Sequence, residues 1–346
     1  MSNRLDRLRA RLDERLLVTN LTNIRYLTGF DSSNAALLVA PDEEPVLYTD
    51  FRYVEDAQAV PGVHVELTKR ALLHDLAARL NGRVQFEADA LPWSLAEVLR
   101  GGGLELQPAT GLVEALRAVK DEDEIAKIAR AARAADRAFE ALTAESWIGR
   151  TERELAWRLR QLLHAHGVDH LAFDTAVLAG PNGSKPHSSP GDRVIETNEL
   201  VTVDWGARLD GYRSDCTRTL ATGPLRKEIR RAYDVCLEAQ AAAVAGIRPG
   251  MSGAEADAIA RDVIAAAGLG EAFGHGLGHG VGVDIHEAPR LSTESEDVLE
   301  PGNVITIEPG IYLPGLGGVR IEDLAVVRDD GVEVLNSFPK ELTLAG

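Results

Sequence analysis

Leu5, Leu8, Leu12 and Leu16 recur every third or fourth residue with charged residues between them. That is the period of one apolar helix face, so the chain is expected to open on an amphipathic helix. The pattern then changes to short apolar runs of strand length, AALLVA, PVLYTD, VHVEL and RVQFEA, separated by helix-like stretches such as TKRALLHDLAARLNG. Strands alternating with helices predict a small α/β unit over about the first 110 residues. At RAVKDEDEIAKIARAARAADRAFEALTA the character changes again. Asp121 and Glu124 are spaced as a capping box ahead of a long Ala-rich helix. Thr151 with Glu154 and Ser252 with Glu255 repeat the signal, with Gly167 and Gly268 as stops. Between and after these helices lie the β-like runs ELVTVDWGA, DCTRTLA, VGVDIH, NVITIEP and GVRIEDLAVV. Helices flanking a largely antiparallel set of strands make the second unit, and the chain as a whole, α+β. The expected division is 1–116 and 117–346. No repeat at a fixed period and no low-complexity tract interrupts it.

Five side chains of the second unit stand out: Asp204, Asp215, His279, Glu308 and Glu322. The segment ELVTVDWGARLDGYRSDCTRT reads as strand, Asp210-Gly211 turn, strand, and Asp-Gly is a strong two-residue hairpin signal. If Leu209 faces Tyr212, Asp204 faces Thr217 and Asp215 lies diagonally on the same sheet face. Such diagonal neighbours are about 7–8 Å apart at the backbone, close enough for side chains to converge. Two converging carboxylates repel, and a cation between them relieves the repulsion. Glu308 and Glu322 are embedded in apolar strand sequence, where an unpartnered carboxylate is costly. An Asp after a β-run, a Glu in a strand or a single His is ordinary when taken alone. Four acids and one imidazole in β or Gly-rich contexts instead suit a hard or borderline divalent cation. The stretch GHGLGHGVGVDIHE carries His275, His279 and His286, three of the chain's nine histidines, among five glycines that let backbone approach closely. His187, in GPNGSKPHSSPG, is a further loop histidine. Cys216 follows Asp215 directly, points to the other sheet face and is expected to be a small buried hydrophobe.

Composition narrows the partners. Acidic residues outnumber basic ones 54 to 37, giving a formal charge of −17, and no basic cluster is present. Nucleic acid and anionic membrane surfaces are therefore not expected partners. No apolar run approaches the ~20 residues of a spanning helix. The opening MSNRLDRLRARLDERLLV mixes both charges and lacks the apolar core of a secretory signal, so a cytoplasmic location is expected. Two cysteines, Cys216 and Cys236, suggest no disulfide framework. A phosphate-binding GxxxxGK[ST] loop, a GxSxG elbow and an HExxH helix are all missing, and no dinucleotide fingerprint stands in its required context.

In VDWGARLDGYRSDCTRT, GHGLGHGVGVDIHEAPR, VITIEPGIY and GVRIED the sequence resembles the pita-bread metallopeptidases, the group of methionine aminopeptidase, prolidase and aminopeptidase P. TNIRYLTGF, LYTDFRY and RAVKDEDEI resemble the creatinase-type front domain of prolidases and aminopeptidases P. The resemblance thus covers nearly the whole chain, and it fits methionine aminopeptidases less well, since they usually lack that domain. It implies a smaller creatinase-like α/β domain ahead of a pita-bread catalytic domain, and two divalent ions (Mn, Co or Zn) per subunit. Asp204 would bind one ion through both oxygens, Asp215 and Glu322 would bridge the pair, and His279 and Glu308 would complete the second. Creatinase shares the fold but lacks this set. The resemblance further implies catalytic roles for Glu308 as proton shuttle and for His286 and His275. His187, His275 and His286 would face substrate, with Arg320 supporting substrate or ligand geometry. Arg290, four residues after His286 in HEAPR, matches an arginine of archaeal-type prolidases that is suited to clamp a terminal carboxylate. The implied activity is hydrolysis of the bond before proline in small Xaa-Pro peptides by an Xaa-Pro dipeptidase, in a homo-oligomer of at least two chains. An aminopeptidase P acting on longer Xaa-Pro-Yaa peptides remains open, as does a non-catalytic or creatinase-like member of the fold.

Overall fold

The structure is a computed structural model and describes residues 2–345. The chain forms two compact units, one ending at Arg117 and the other beginning at Ala118. The first contains α1 (Ser2–Arg9), β1 (Leu16–Val18), α2 (Leu21–Thr28), β2 (Ala35–Val39), β3 (Val46–Asp50), α3 (Val54–Gln58) and β4 (His64–Thr68). It continues through α4 (Leu72–Arg79), β5 (Gly82–Glu87), α5 (Trp93–Gly101) and β6 (Leu104–Ala109) to α6 (Glu114–Ala118). Its six strands make one sheet in the order β4-β3-β2-β1-β5-β6, parallel in β4-β3 and through β1-β5-β6 and antiparallel across β3-β2-β1.

The opening helix is shorter than its leucines suggest. It stops at Arg9, and Leu16 is a strand residue paired with Val39 and Gln85. All four leucines are buried, so each faces the core, but a helical spacing of core residues also fits a helix, a turn and a strand that share that core.

In the second unit the three capping boxes are all present. Asp121–Glu124 opens α7 (Glu122–Thr143), Thr151–Glu154 opens α8 (Glu152–Ala165), and Ser252–Glu255 opens a later helix, Gly253–Ala266. After α8 come β7 (His170–Leu171), β8 (Ala176–Ala179), β9 (Leu200–Trp205), β10 (Ala207–Leu209), β11 (Tyr212–Arg213) and β12 (Cys216–Ala221). Next is α9 (Lys227–Gly246), whose N-cap Arg226 makes no capping hydrogen bond, so it carries no terminal signal in the sequence. The capped helix Gly253–Ala266 is α10. The last strands are β13 (Gly278–Gly280), β14 (Glu287–Leu291), β15 (Val304–Ile307), β16 (Gly310–Leu313), β17 (Gly317–Arg320), β18 (Asp323–Arg328) and β19 (Gly331–Val334).

Every strand pairing in this unit is antiparallel. α7 and α8 share one apolar core with the sheet β12-β9-β8, built around Phe139, Trp147, Trp205 and Leu220. α9 and α10 share another with the sheet β14-β13-β15-β18-β19, through Tyr233, Ile264, Ile305 and Val327. Phe139 stacks on Trp205 at 3.9 Å between ring centroids, which fixes the back of β9. With its rear packed, β9 turns Asp204 toward the opposite side. Among the described residues no helix is long and apolar enough to cross a membrane.

Candidate metal centre

The hairpin register is the one the Asp-Gly turn dictates. Leu209 pairs with Tyr212, and Thr217 pairs with Asp204. Asp210 and Gly211 take φ values of 51° and 85°, as a two-residue turn of this type requires. The hairpin is not continuous, however: it is interrupted at Gly206 and at Ser214–Asp215. Asp215 therefore stands just ahead of β12 rather than within a ladder.

The two other carboxylates also sit at strand breaks. NVITIEP forms β15 only to Ile307, and Glu308 follows it. GVRIEDLAVV is split between β17 and β18, with Glu322 in the gap. A break rotates a side chain out of the alternating pattern, which is how residues in apolar sequence come to face a polar centre. The run VGVDIH is not a strand. It is the loop between β13 and β14, turned by the Gly282 N–H donating to Asp284 O at 3.0 Å. Val281 and Val283 are buried from that loop, which is why its alternation resembles a strand. His279 lies in β13, where glycines are obligatory: a Cβ at Gly278 would stand 2.0 Å from Thr306 O, and one at Gly280 2.2 Å from Ala288 O. The glycines make a tight sheet rather than a linker.

Asp204, Asp215 and Glu322 converge, each offering an oxygen within 4.8 Å of the others. His279 Nε2 is 3.3 Å from Glu308 Oε1 and 3.7 Å from Asp215 Oδ2. The His279 ring directs Nδ1 at Gly280 O, 3.1 Å away. A carbonyl only accepts, so Nδ1 carries the proton and Nε2 presents its lone pair to the carboxylates. Burial holds the pKa of His279 below its usual value, which favours that neutral ring. Burial also raises Asp215 and Glu322 well above the usual carboxylate range, and the neighbouring acids raise them further. Burial raises Asp204 and Glu308 too, with Arg320 acting in the opposite direction on both.

Hydrogen bonds set the orientation of each acid. Thr217 Oγ1 donates to Glu322 Oε2 at 2.6 Å, and Thr306 Oγ1 donates to Glu308 Oε1 at 3.0 Å. Arg320 donates through NH2 to Asp204 Oδ2 at 2.6 Å, through Nε to Thr217 Oγ1 and through NH1 to Tyr312 Oη. Its guanidinium is thus engaged by the chain itself and reaches the centre through Asp204. Asp204 Oδ1 is buried without any hydrogen-bond partner. Among the described residues Arg320 is the one cation held against these acids, on Asp204 Oδ2, and it leaves Oδ1 unpartnered beside two further carboxylates, a donor set that a divalent cation fits.

The histidines divide by position. His275 is fixed, its Nε2 2.9 Å from Tyr312 Oη and its ring edge-on to Phe273. His286 is exposed on the β13–β14 loop with its ring edge-on to His279, 4.4 Å between centroids. His187 is exposed after the short 3₁₀ turn Gly180–Ser184 and lies within electrostatic reach of Asp204 and His275. Arg290 faces His279 across β13–β14, and its charge adds a lesser contribution to the desolvation that lowers the pKa of both His279 and His286. Among the described residues its guanidinium makes no hydrogen bond or ion pair.

Residues 126–329 match the sequence profile of metallopeptidase family M24, and residues 4–119 match that of the Creatinase/Prolidase N-terminal domain. The chain belongs to metallopeptidase family M24. It is a peptidase, with a creatinase-like front domain and a pita-bread catalytic domain, and its family implies a divalent metal at the carboxylate cluster. An uncharacterized peptidase of Bacillus subtilis is 40% identical over 95% of this chain and 95% of its own. An Xaa-Pro dipeptidase from Bacillus anthracis superposes with a TM-score of 0.95 at 38% identity, covering 99% of both chains. An X-Pro aminopeptidase from Thermotoga maritima superposes with a TM-score of 0.87 at 31% identity, over 96% of this chain and 97% of that one.

Three hydroxyls that hold the candidate site residues carry no signal in the sequence: Tyr312, Thr217 and Thr306. Thr306 and Tyr312 lie in VITIEPGIY and Thr217 in DCTRT, but a hydroxyl in or beside an apolar strand carries no signal until its partner is known. The register placing Thr217 opposite Asp204 was the one available clue.

Proposed function

We propose that the chain is an Xaa-Pro dipeptidase working with two divalent ions, held by Asp204, Asp215, His279, Glu308 and Glu322. The observation that carries the reading is the convergence of Asp204, Asp215 and Glu322, with Asp204 Oδ1 buried and unpartnered, in a chain of a metallopeptidase family. Manganese, cobalt and zinc all suit a set of four carboxylates and one imidazole. When bound, the ions would supply Lewis acidity toward the scissile carbonyl and make water a nucleophile near neutral pH.

The chain's own residues do the rest. Glu308, its Oε1 fixed by Thr306, takes a proton at Oε2 and returns it to the proline nitrogen as the bond breaks. Its raised pKa suits a group that must hold that proton, and the tertiary nitrogen of proline cannot leave without one. His286, its pKa lowered by partial desolvation and by the neighbouring His279, donates a hydrogen bond to the developing oxyanion. His275 and His187 orient the substrate. The unengaged guanidinium of Arg290 clamps the terminal carboxylate. All proposed ligands lie at or beyond Asp204, so we assign residues 1–116 to substrate choice and to assembly of at least a dimer.

Comparing Xaa-Pro dipeptides with Xaa-Pro-Yaa peptides tests the assignment. Arg290→Ala should raise KM for dipeptides about 10–100-fold, as expected for losing a charge-assisted fork, and leave extended peptides nearly unaffected. Faster cleavage of the extended peptides by the unmodified protein would favour the second reading, an aminopeptidase P, which the likeness to the Thermotoga maritima enzyme supports.

A further inference from the structure

Behind Glu322 lies a second network that the proposed chemistry does not use. Arg218 is buried on β12, with 2% of its side chain exposed. Its Nε donates to Pro339 O at 3.0 Å and to Phe338 O at 3.3 Å. Its NH1 donates to Thr217 O at 3.0 Å and also to Glu322 O. Its NH2 donates to Asp323 Oδ1 at 2.7 Å and to Phe338 O at 2.8 Å. Asp323 Oδ2 accepts from Gln240 Nε2 of α9 and from Lys340 Nζ, each at 2.8 Å. The segment 336–340 is tied down independently. Asn336 Oδ1 accepts from Leu324 N, Ser337 donates to Asp136, and Tyr233 Oη donates to Lys340 O.

Glu322 needs such support because it lies in the gap between β17 and β18. Its N–H donates to Thr217 O, but its carbonyl is met by side chains, Arg218 and the Cys216 thiol. Its carboxylate stands among Asp204, Asp215 and Glu308, whose charges oppose its own. Left to sheet pairing alone, that backbone would be free to swing the carboxylate away. A buried ion pair such as Arg218–Asp323 is weak as a source of stability, since apolar residues of similar volume often do as well. What apolar residues cannot do is grip the Glu322 carbonyl and the 336–340 backbone together.

We propose that Arg218, braced by Asp323 and by the segment 336–340, is a positioning residue that fixes Glu322 for metal binding. This rests on the reading of Glu322 as a metal ligand. The test is calorimetric titration of Mn²⁺ into the chelated full-length protein, its Arg218→Lys variant and its Lys340→Met variant, with thermal unfolding recorded for each. Arg218→Lys keeps a cation against Asp323 but loses the fork that joins Glu322 O to Phe338 O. It should weaken Mn²⁺ affinity about 10–100-fold, the usual effect of removing an outer-shell partner. Lys340→Met, at a partly exposed margin of the network, should weaken it in the same direction by less. If Arg218→Lys does not fold, Lys340→Met decides. A folded variant with a lowered melting temperature and the unmodified Mn²⁺ affinity would make the network merely structural and overturn the proposal. Absence of Mn²⁺ binding by the unmodified protein would instead overturn the ligand reading, and this inference with it.

Discussion

Asp204→Asn should give a folded protein that has lost most of its divalent metal and, with it, its peptidase activity. The substitution keeps the size of the side chain, and the remaining oxygen can still accept from Arg320 NH2, which now holds Asp204 Oδ2 at 2.6 Å. It places an amide nitrogen where the structure has a buried carboxylate oxygen without a partner. That nitrogen has no lone pair to give a cation and points two hydrogens at the site. The fold should tolerate the change, because it removes one charge from a cluster in which burial and mutual repulsion already raise Asp215 and Glu322. Outer-shell partners typically change metal affinity 10–100-fold, so loss of a direct ligand should cost roughly 100-fold or more. Metal analysis after dialysis, beside hydrolysis of an Xaa-Pro dipeptide, reads both effects. Full occupancy and full rate in Asp204→Asn would remove Asp204 from the metal site.

His286→Ala should do the opposite: keep the metal and lose the rate. His286 stands on the exposed loop between β13 and β14 and touches the site through the edge of His279. Its pKa is lowered, first by burial and then by the neighbouring His279, so at neutral pH it is an uncharged donor rather than a cation. A donor aimed at charge that develops only in the transition state acts on kcat, and losing one typically costs about 10²–10³-fold. Metal content should stay normal, because His279 already supplies an imidazole to the carboxylates. A large loss of metal from His286→Ala would show that the two neighbouring histidines exchange roles.

These two residues mark what the sequence made legible. Asp204 was readable because an Asp-Gly turn fixes its own register, and that register brings Asp204 opposite Thr217 whatever the rest of the fold does. The three capping boxes were readable for the same reason, since their signal lies within four residues. Glu308 and Glu322 were recognisable as misplaced charges, but the strand breaks that turn them inward arise from tertiary packing. The helix α9 has no sequence signal because its start lacks a capping side chain, and Leu16 fits the helical spacing although it is a strand residue because helix and strand bury it equally well. Tyr312 gains meaning only through contacts with Arg320, eight residues on, and His275, thirty-seven residues back. No pattern along the chain encodes those two pairings.

If the five ligands hold paired ions, activity and bound metal must rise and fall together. The purified protein is chelated, assayed on an Xaa-Pro dipeptide, then titrated with Mn²⁺ or Co²⁺ while bound metal and rate are followed together. The expected result is no turnover after chelation, recovery in step with binding, and saturation at about two ions per chain, the stoichiometry of a paired-metal hydrolytic site. Full activity in the chelated protein would contradict it.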